Sequence, residues 1–285
     1  VTIFVSVTIT FLILRLMPGN PADMLMDPRM TAEVRRQILA DFGLDKPLFQ
    51  QYIIYMGNLL QGNLGISFRS MLPVTTVIST RIWWTVTLMG AAFVVTIVLG
   101  IPLGVLAAVH RNSIWDRLIT AAGILGNAIF VPWLAITLLY TLGYIYPVFP
   151  IGGAVARGAV GWDRLASIIM HLALPVLSLT TINLARYILF LRTSMVEVLE
   201  EDYVRTAKAK GLNQRIIVYK HALRNAFLPT LTMMGMQLGF MVGGAVLTET
   251  VFAYPGLGRL IYESVRQHDY PVLQGLFLLI TIAVI

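Results

Sequence analysis

The sequence predicts an all-α fold: a polytopic membrane protein with six transmembrane helices and a cytoplasmic helix between spans four and five. Three observations favour this fold class. Of the 285 residues, 57% are hydrophobic and only 12% are charged, which leaves too little charge to cover a soluble globule of this length. The apolar residues fall into runs close to the roughly 20 residues that a helix needs to cross a bilayer. The basic residues are concentrated in the short segments between those runs.

Six apolar runs approach the length of a span, and we expect each to form a transmembrane helix. They cover about residues 1–17, 83–109, 118–146, 166–191, 227–248 and 270–285. The chain opens at Val1 and stops at Ile285 within apolar runs, so we expect the first and last spans to be incomplete as given. Prolines inside the runs, such as Pro102, Pro132 and Pro175, predict weak points in the helices.

Residues 18–82 form the longest segment outside the predicted spans, and we expect them to be a small extracytoplasmic helical subdomain after the first span (1–17). Within it, residues 31–39 and 48–60 follow an amphipathic helical pattern. Its acids and bases nearly balance, so it is equally suited to be a docking surface for another protein or a cap on the membrane core. The remainder, 83–285, is predicted to be a five-span core.

The distribution of basic residues predicts a cytoplasmic N-terminus, because short cytoplasmic loops carry an excess of lysine and arginine. With that orientation the inner loops carry Arg111, Arg117, Arg192, Arg205, Lys208, Lys210, Arg215, Lys220 and Arg224. The two short outer loops carry only Arg157, Arg164, Arg259 and Arg266. The loop over 193–226 is therefore predicted to be cytoplasmic.

The charged stretch in that loop predicts a short helix at the membrane surface. Asp202 is a candidate N-cap, Lys208 and Lys210 fall in the last turn, and Gly211 marks the stop. The helix would be about two turns long, and a second helix would start near Asn213, giving a helix–glycine–helix elbow. Two interpretations remain open. The loop either serves only to fix the topology, or it presents a rigid helix that a partner protein grips.

Several kinds of chemistry are absent from the sequence. It has no cysteine, which excludes disulfides, thiolate metal sites and a cysteine nucleophile. No lysine follows a glycine, so there is no nucleotide phosphate loop, and the four histidines lack metal-binding spacing. The spans are nearly free of ionisable residues. We expect Arg186 to extend to the inner boundary, and Glu249 to pair with an outer-loop arginine or to belong to an outer gate.

Three groups of residues form a recognisable set of motifs. The first and outer segments contain Leu16-Met-Pro-Gly-Asn-Pro21, Phe42-Gly-Leu-Asp-Lys-Pro-Leu48, Gln51-Tyr52 and Gly62-Asn-Leu-Gly65. The elbow contains Asp202-Tyr-Val-Arg-Thr-Ala207, Ala209-Lys-Gly-Leu212 and His221-Ala-Leu-Arg-Asn225. The last outer segment contains Glu249-Thr-Val-Phe252, Pro255-Gly-Leu-Gly-Arg259 and Asp269-Tyr-Pro271. With these motifs the chain resembles the integral-membrane permease subunit of ATP-binding-cassette importers, in the dipeptide, oligopeptide and nickel branch.

The chain departs from the wider pattern at three places. Asn20 stands where the related motif has an acid. Arg205-Thr206-Ala207 replaces the Glu-Ala-Ala triad of the coupling loop, and His221-Ala-Leu-Arg224 replaces Ile-x-Leu-Pro. The two departures in the loop are those of the peptide branch.

The resemblance implies a non-enzymatic permease subunit in the cytoplasmic membrane that imports short peptides by alternating access. It implies that this chain binds no cofactor, and that ATP and Mg are bound by partner ATPases. The implied partners are a homologous second permease subunit, two ATP-binding-cassette ATPases, an extracytoplasmic solute-binding protein and membrane lipid, but no nucleic acid.

The resemblance also implies roles for particular residues. Those implied in coupling to the ATPases are Glu201, Asp202, Tyr203, Arg205, Thr206, Ala207, Lys208 and Gly211. Candidates for an outer gate are Glu249, Pro255, Gly256 and Arg259. Candidates for the translocation path, which could equally be packing or interhelical hydrogen-bonding residues, are Asn127, Trp133, Asn183 and Gln237.

Other functions stay open at this point. Similar permeases carry nickel chelates, glutathione or oligosaccharides, and the permease pair could be two copies of this chain. An ion-gradient-driven transporter or channel would need buried acids or ring-like polar sites, and an intramembrane enzyme would need a metal pair or a catalytic constellation within the spans. The sequence displays neither.

Overall fold

The structure, a computed structural model, describes residues 1–16 and 45–285, with the side chains of all of these except 237–244. Every regular element in those ranges is helical, so the predicted all-α fold class is confirmed. The helices, numbered along the described residues, are α1 (Thr2–Leu16), α2 (Leu48–Leu60), α3 (Val74–Val109), α4 (Ile114–Ala128), α5 (Val131–Leu138), α6 (Gly161–Glu200), α7 (Asp202–Ala209), α8 (Leu223–Gly244), α9 (Val246–Val251), α10 (Leu257–Arg266) and α11 (Tyr270–Val284).

The chain divides into two compact units. One consists of Val1–Thr85 and Pro255–Ile285, and the other of Val86–Tyr254. In the first unit α1 and α11 pack in antiparallel fashion. Ser6 Oγ lies 2.9 Å from Thr281 Oγ1 near one end of the pair, and Leu14 is buried with Tyr270 and Leu273 near the other.

Helix α2 is held against α1 by aromatic contacts. The ring of Phe11 lies 5.3 Å from that of Tyr52 and 5.5 Å from that of Tyr55, measured between centroids. Tyr52 Oη is also 2.8 Å from Thr8 Oγ1. The helix predicted over 48–60 is confirmed with those bounds, whereas the one predicted over 31–39 lies outside the described residues.

Asp269 fastens the segment before α3 to the start of α11. Its side chain is buried and accepts hydrogen bonds from Ser67 Oγ at 2.6 Å and from the backbone N–H groups of Phe68 at 3.1 Å and Arg69 at 3.4 Å. A carboxylate that accepts several donors is well compensated for its loss of water. This cluster fixes the path of the chain between α2 and α3.

In the second unit α4 packs closely along α6. A Cβ atom added to Gly126 would lie 3.3 Å from the Thr181 carbonyl oxygen, and one on Gly123 would lie 3.4 Å from Leu189 Cγ. Small residues at these positions let the two helix backbones approach, as they do at interfaces between membrane helices.

The third predicted span, 118–146, is two helices and not one. Helix α4 and the helix that follows it (Val131–Ile145, whose last seven residues are π-helical) meet at an angle of 97°. Ile129 and Phe130 are extended at the break, and Pro132 lies in the first turn of α5, where its missing N–H group leaves no hydrogen bond unmade.

Two of the described helices, α3 and α6, are long and apolar enough to cross a membrane, and the bent pair adds a third if it counts as one span. α3 has 36 residues and α6 has 40, each longer than the roughly 20 residues that the apolar layer requires. α1 and α11 are apolar helices of 15 residues. The count of six spans stays a prediction.

The long helices begin before and end after the apolar runs that predicted them. α3 begins at Val74, so residues 74–82 of the predicted outer segment continue directly into the second predicted span. α6 extends from Gly161 to Glu200 around the predicted span 166–191 and includes Pro175. Hydropathy locates the apolar part of such a helix, but its polar ends are fixed by caps and packing.

Candidate functional site

The candidate site is the predicted elbow, and its first half is helix α7. The helix has eight residues, which confirms the expected length of about two turns. Glu201, with φ −65° and ψ 147°, occupies the N-cap position, so the prediction of Asp202 as the cap is wrong by one residue. Asp202 is instead the first helical residue, where its negative charge still complements the helix dipole.

The end of α7 is closed by a complete glycine cap. Gly211 has φ +73°, a left-handed conformation that glycine adopts at little cost. Its N–H group donates to the Lys208 carbonyl at 3.0 Å, and the Leu212 N–H donates to the Ala207 carbonyl at 3.3 Å. These two bonds form a Schellman motif. The predicted role of Gly211 as the stop is therefore confirmed.

α7 is amphipathic, with one face buried. Val204 is completely buried and Ala207 nearly so, and both pack against Ile217 and the partly buried Leu199. The opposite face is exposed and polar, and it carries six of the predicted coupling residues: Glu201, Asp202, Tyr203, Arg205, Thr206 and Lys208. Ala207 lies on the buried side and therefore serves as an anchor.

The exposed face holds few internal bonds. Arg205 Nη1 donates to Asp202 Oδ1 at 3.2 Å, but both side chains are largely exposed, so this ion pair contributes little to stability. The Asn225 amide donates to Tyr203 Oη at 2.7 Å. The charged groups of α7 are thus accessible to another protein.

The second half of the elbow begins at Asn213, as predicted. Its side chain accepts a hydrogen bond from the Arg215 N–H at 2.9 Å. A helical turn (Gln214–Ile216) and a π-helical segment (Ile217–Ala222) then lead without a break into α8. A cleft of about 440 Å³ opens here and is lined by Tyr203, Lys220, His221, Arg224, Asn225 and Leu228.

The elbow rests on a buried cluster that joins three helical segments. The members of this cluster are Val105, Ala108, Leu191, Met195, Val218, Ala222 and Ala226, from the end of α3, the end of α6 and the segment that enters α8. Gly104 permits the close contact, since a Cβ atom there would lie 3.1 Å from Leu191 Cβ. A displacement of α7 would be resisted by close-packed side chains and would be passed on to these helices.

A buried ion pair near the elbow was not anticipated from the sequence. Asp116 is 3% exposed, and it accepts hydrogen bonds from Arg192 Nε at 2.5 Å and Arg192 Nη2 at 2.7 Å. The Asn112 N–H and the Thr120 hydroxyl donate to the same carboxylate at 2.9 and 3.2 Å. Ser113, which caps α4 three residues before Asp116, was the available sequence signal.

A second ion pair joins Arg111, in the loop between α3 and α4, to Glu200 at the end of α6. Arg111 and Arg192 had been counted only as charges that set the topology. Together the two ion pairs bind the α3–α4 loop to the part of α6 that precedes the elbow.

The four outer-gate candidates fall in both compact units. Glu249 is completely buried in α9, in the unit that ends at Tyr254. The other three candidates, Pro255, Gly256 and Arg259, belong to the segment Pro255–Ile285 of the first unit. Gly256 is the N-cap of α10, and Arg259 Nε donates a hydrogen bond to Glu263 Oε1 at 2.7 Å. The structure thus gives Arg259 a carboxylate partner four residues along its own helix.

Tyr254 directly precedes Pro255 in the sequence and is completely buried. Burial raises the pKa of its phenol above the ordinary value, and the charge of Glu249 acts in the same direction. The phenol is neutral at physiological pH.

The path candidates are only partly brought together. Asn127 on α4 accepts a hydrogen bond from Arg186 Nε of α6 at 3.2 Å, and Asn183 lies one turn earlier on α6. Trp133 is 63% exposed on α5. Gln237 belongs to α8, but its side chain is outside the described set.

Arg186 therefore has a hydrogen-bond partner, Asn127, within its own compact unit. From the sequence we expected only that its side chain would extend to the inner boundary of the membrane, and we predicted no polar partner for it. Its side chain is exposed in the single chain. A guanidinium within an apolar helix is costly to expose to lipid, so this side chain is suited to a face that meets water or another protein.

Among the described residues, no group of three or more acidic or histidine side chains could hold a metal ion. At the elbow, α7 is attached to the packed core by its buried face and presents a charged surface on its exposed face.

Two bilayer-length apolar helices, one of which leads into a capped polar helix anchored on a packed core, define a multi-pass integral membrane protein. The chain belongs to the family described as the binding-protein-dependent transport system inner membrane component, which matches residues 100–285. Residues 1–89 match the N-terminal region of the same kind of membrane component. The predicted membership in an importer permease family is confirmed.

Curated relatives match along nearly the whole chain. The dipeptide transport system permease protein DppB of Escherichia coli is 37% identical over 303 residues, which cover 99% of this chain and 89% of the relative. The di/tripeptide transport system permease protein DppB of Pseudomonas aeruginosa is 38% identical over 305 residues, which cover 100% and 90%. The glutathione transport system permease protein GsiC of Escherichia coli is 39% identical over 281 residues, which cover 99% and 88%.

Proposed function

We propose that this chain is the permease subunit of an ATP-driven importer that moves short peptides across the cytoplasmic membrane by alternating access. The observation that carries the proposal is helix α7. It is fixed on the packed core by Val204 and Ala207, it is closed by Gly211, and it exposes a charged face. A surface built in this way suits the transmission of force from a partner protein.

The partner for this surface is an ATP-binding-cassette ATPase, two of which would serve the permease pair. This chain has no phosphate loop of its own, so ATP and Mg would be bound by the ATPases. Their closure would push α7, and the cluster under the elbow would pass the displacement to α3, α6 and α8. The spans would then exchange outward for inward opening.

This assignment requires the elbow to be cytoplasmic, and hence a cytoplasmic N-terminus. The excess of basic residues in the loop around α7 supports that orientation. The remaining partners would be a second, homologous permease and an extracytoplasmic solute-binding protein. The outer residues Glu249, Pro255, Gly256 and Arg259 would then lie on the side that receives the substrate.

The polar contact of Arg186 with Asn127 supports a translocation path along that face of α4 and α6. An exposed guanidinium and amide could bond to the carboxylate and carbonyl groups of a peptide. Arg186→Gln should lower ATP-driven uptake without lowering association with the ATPases, while Arg117→Gln, at an exposed arginine of the same unit, should change neither. Unchanged uptake by Arg186→Gln would remove this residue from the path.

Short peptides are the substrate class best supported. The three relatives described above are permeases named for dipeptides, for di- and tripeptides and for glutathione, itself a short peptide. Nickel chelates and oligosaccharides are the alternatives within the same machine. A carrier driven by an ion gradient is a weaker candidate, since the predicted spans are nearly free of the ionisable residues that an ion relay would use.

Reversal of the charges on α7 tests the coupling role. The double variant Arg205→Glu with Lys208→Glu should bind the ATPases about tenfold more weakly or worse and lose ATP-driven uptake, because attraction is replaced by like-charge repulsion. Thermal unfolding of the purified chain should be unchanged, because both side chains are exposed.

The matched control is Arg157→Glu with Arg164→Glu, two exposed basic residues of the same unit outside the elbow. It should leave ATPase binding intact. The coupling role is contradicted if the α7 variant keeps full ATPase association and uptake in a folded protein.

A further inference from the structure

The cleft beside α7 is a part of the elbow that the exposed face of α7 does not account for. It has a volume of about 440 Å³ and lies within the unit Val86–Tyr254. One residue of α7 and five residues around the start of α8 line it: Tyr203, Lys220, His221, Arg224, Asn225 and Leu228. Of these, only Tyr203 is a predicted coupling residue. We call this surface the basic cleft.

The polar groups of the basic cleft are mainly hydrogen-bond donors. Lys220 and Arg224 are exposed, and neither forms an ion pair with a carboxylate of residues 1–16 or 45–285. His221 adds a ring N–H group. No described aspartate or glutamate lines the cleft. A guanidinium and an ammonium in one cleft suit an oxyanion, because both donate charge-assisted hydrogen bonds.

Tyr203 forms the α7 side of the basic cleft and supplies a further donor. The Asn225 amide donates to Tyr203 Oη at 2.7 Å, so this oxygen acts as an acceptor and its own hydrogen is left for another acceptor. The basic cleft therefore shares a wall with α7. A protein that sits on the exposed face of α7 would lie directly beside the cleft.

The place of the basic cleft in the sequence favours a protein over a lipid as its occupant. All of its polar residues precede the apolar run that begins at Phe227, and only Leu228 lies within that run. The cleft thus belongs to the aqueous side of the predicted membrane boundary. Residues 201–225 contain six lysines and arginines but only two acids. A protein that covers the elbow therefore needs acidic groups on its own surface.

We propose that the basic cleft binds an aspartate or glutamate side chain of the ATPase that sits on α7. Arg224 and Lys220 donate to the carboxylate, and the Tyr203 hydroxyl donates a third hydrogen bond. This inference rests on the proposed function, because it takes the ATPase as the protein that covers the elbow. It adds a second point of attachment, on the segment that leads directly into α8. A displacement of the ATPase then acts on α8 as well as on α7.

Cross-linking with a carbodiimide tests the proposal in the complete transporter, because this reagent joins a lysine ammonium to a carboxylate in direct contact with it. The chain has four lysines, Lys46, Lys208, Lys210 and Lys220. Mass spectrometry of the cross-linked peptides should show Lys220 joined to an aspartate or glutamate of an ATPase. Lys46, in the predicted outer segment, is the internal control and should be joined to no ATPase.

The outcome separates a failure of this inference from a failure of the proposed function. If the ATPases co-purify with the chain but Lys220 is not joined to one of them, the inference is overturned and the proposed function stands. A link from Lys220 to the second permease alone overturns it in the same way. ATPases that do not co-purify with the chain would contradict the proposed function, and this inference with it.

Charge reversal with rescue tests the pairing itself. Lys220→Glu with Arg224→Glu should weaken ATPase association about tenfold or more, since like charges then face each other. A lysine in place of the cross-linked ATPase acid should restore association, which a misfolded variant would not allow. Association of the double variant at wild-type strength, or a lack of rescue, overturns the proposal.

Arg215→Glu is the matched control, because Arg215 is an exposed arginine of the elbow that does not line the basic cleft. The lysine introduced into the ATPase should not improve the binding of this variant. An equal improvement for Arg215→Glu would show that only the total charge of the elbow matters, and would contradict a specific pairing in the cleft.

An anionic lipid is the alternative occupant, and the same double variant distinguishes it. Native mass spectrometry counts the phosphatidylglycerol molecules retained by each purified transporter. We expect the wild type and Lys220→Glu with Arg224→Glu to retain equal numbers. If the variant loses bound phosphatidylglycerol and keeps full ATPase association, the basic cleft is a lipid site and the proposal is wrong.

Discussion

Asp116 makes more polar contacts than any other charged side chain near the elbow. Its carboxylate accepts bonds from Arg192, from the Asn112 N–H and from the Thr120 hydroxyl. Two charges removed from water are expensive, and only such a complete set of partners compensates for the loss. The pair joins the start of α4 to the part of α6 that precedes α7, so it holds the base of that helix.

Asp116→Asn should therefore destabilise the protein. Removal of one partner of a buried ion pair leaves the other charge uncompensated, which costs about 3–5 kcal/mol. The side chain of Arg192 is 24% exposed, so water offsets part of this cost, and we expect about 2–4 kcal/mol. Denaturant unfolding in detergent measures the change. Asp163→Asn, at an exposed aspartate of α6, should shift stability by less than about 0.5 kcal/mol. Equal effects of the two variants would show that the pair contributes nothing specific.

Gly211 is a second position where one residue decides the local structure. At φ +73° with no atom within 4 Å of an added Cβ, Gly211→Ala meets no clash and costs only about 1 kcal/mol of backbone strain. Proline cannot adopt this φ, so Gly211→Pro should open the elbow and abolish ATP-driven uptake, while Gly211→Ala and Gly211→Asn retain most of it. Uptake by reconstituted vesicles measures the series.

Gly158→Pro is the matched control, because Gly158 has φ +80° and open space around it in a segment outside the elbow. It should introduce similar strain without loss of uptake. The coupling role of the turn at Gly211 fails if Gly211→Pro transports as well as Gly211→Ala.

Among the elements, α7 combines a buried face that attaches it to the core with an exposed face that carries charges. Its buried side chains Val204 and Ala207 attach it to Ile217 and Leu199, while its charged face makes few contacts within the chain. A helix of eight residues is marginal in isolation, so its stability comes from this packing and from its caps. Attachment to the core would give the helix the rigidity that the proposed transmission of force requires.

Val204→Ala should loosen that attachment. The loss of two buried methyl groups costs about 1–3 kcal/mol by the range for truncations in packed cores. Hydrogen exchange of the α7 amides should accelerate, and ATP hydrolysis should become less tightly coupled to uptake. Thr206→Ala, on the exposed face, should leave exchange at the wild-type rate. If Val204→Ala exchanges at the same rate as Thr206→Ala, the helix is not held by its buried face.

The elements with local signals could be predicted from the sequence. Three of these signals involve only residues close together in the sequence. They are the amphipathic periodicity of α2, the glycine after α7 and the helix start at Asn213, and the structure has all three. The 97° break between α4 and α5 could not be predicted, because hydropathy is insensitive to the direction of the backbone. The contact of Asp116 with Arg192 spans 76 residues, and a single sequence does not reveal such pairings.

At the scale of the whole molecule, the family assignment and the elbow lead to one account. In the proposed function, force would enter at α7, pass through the cluster around Leu191 and Met195, and change the opening of the spans. Composition alone predicted the membrane class, but the gate residues from Glu249 to Arg259 are assigned by resemblance only.

ATP-dependent uptake of a mixed short-peptide pool tests the central claim most directly. Sealed vesicles would contain this chain with its neighbouring permease and ATPases, would be supplied with the binding protein, and would be assayed with and without ATP in the absence of ion gradients. The account predicts that peptides accumulate only when ATP is present. Accumulation that proceeds without ATP, or that requires an ion gradient, would contradict it.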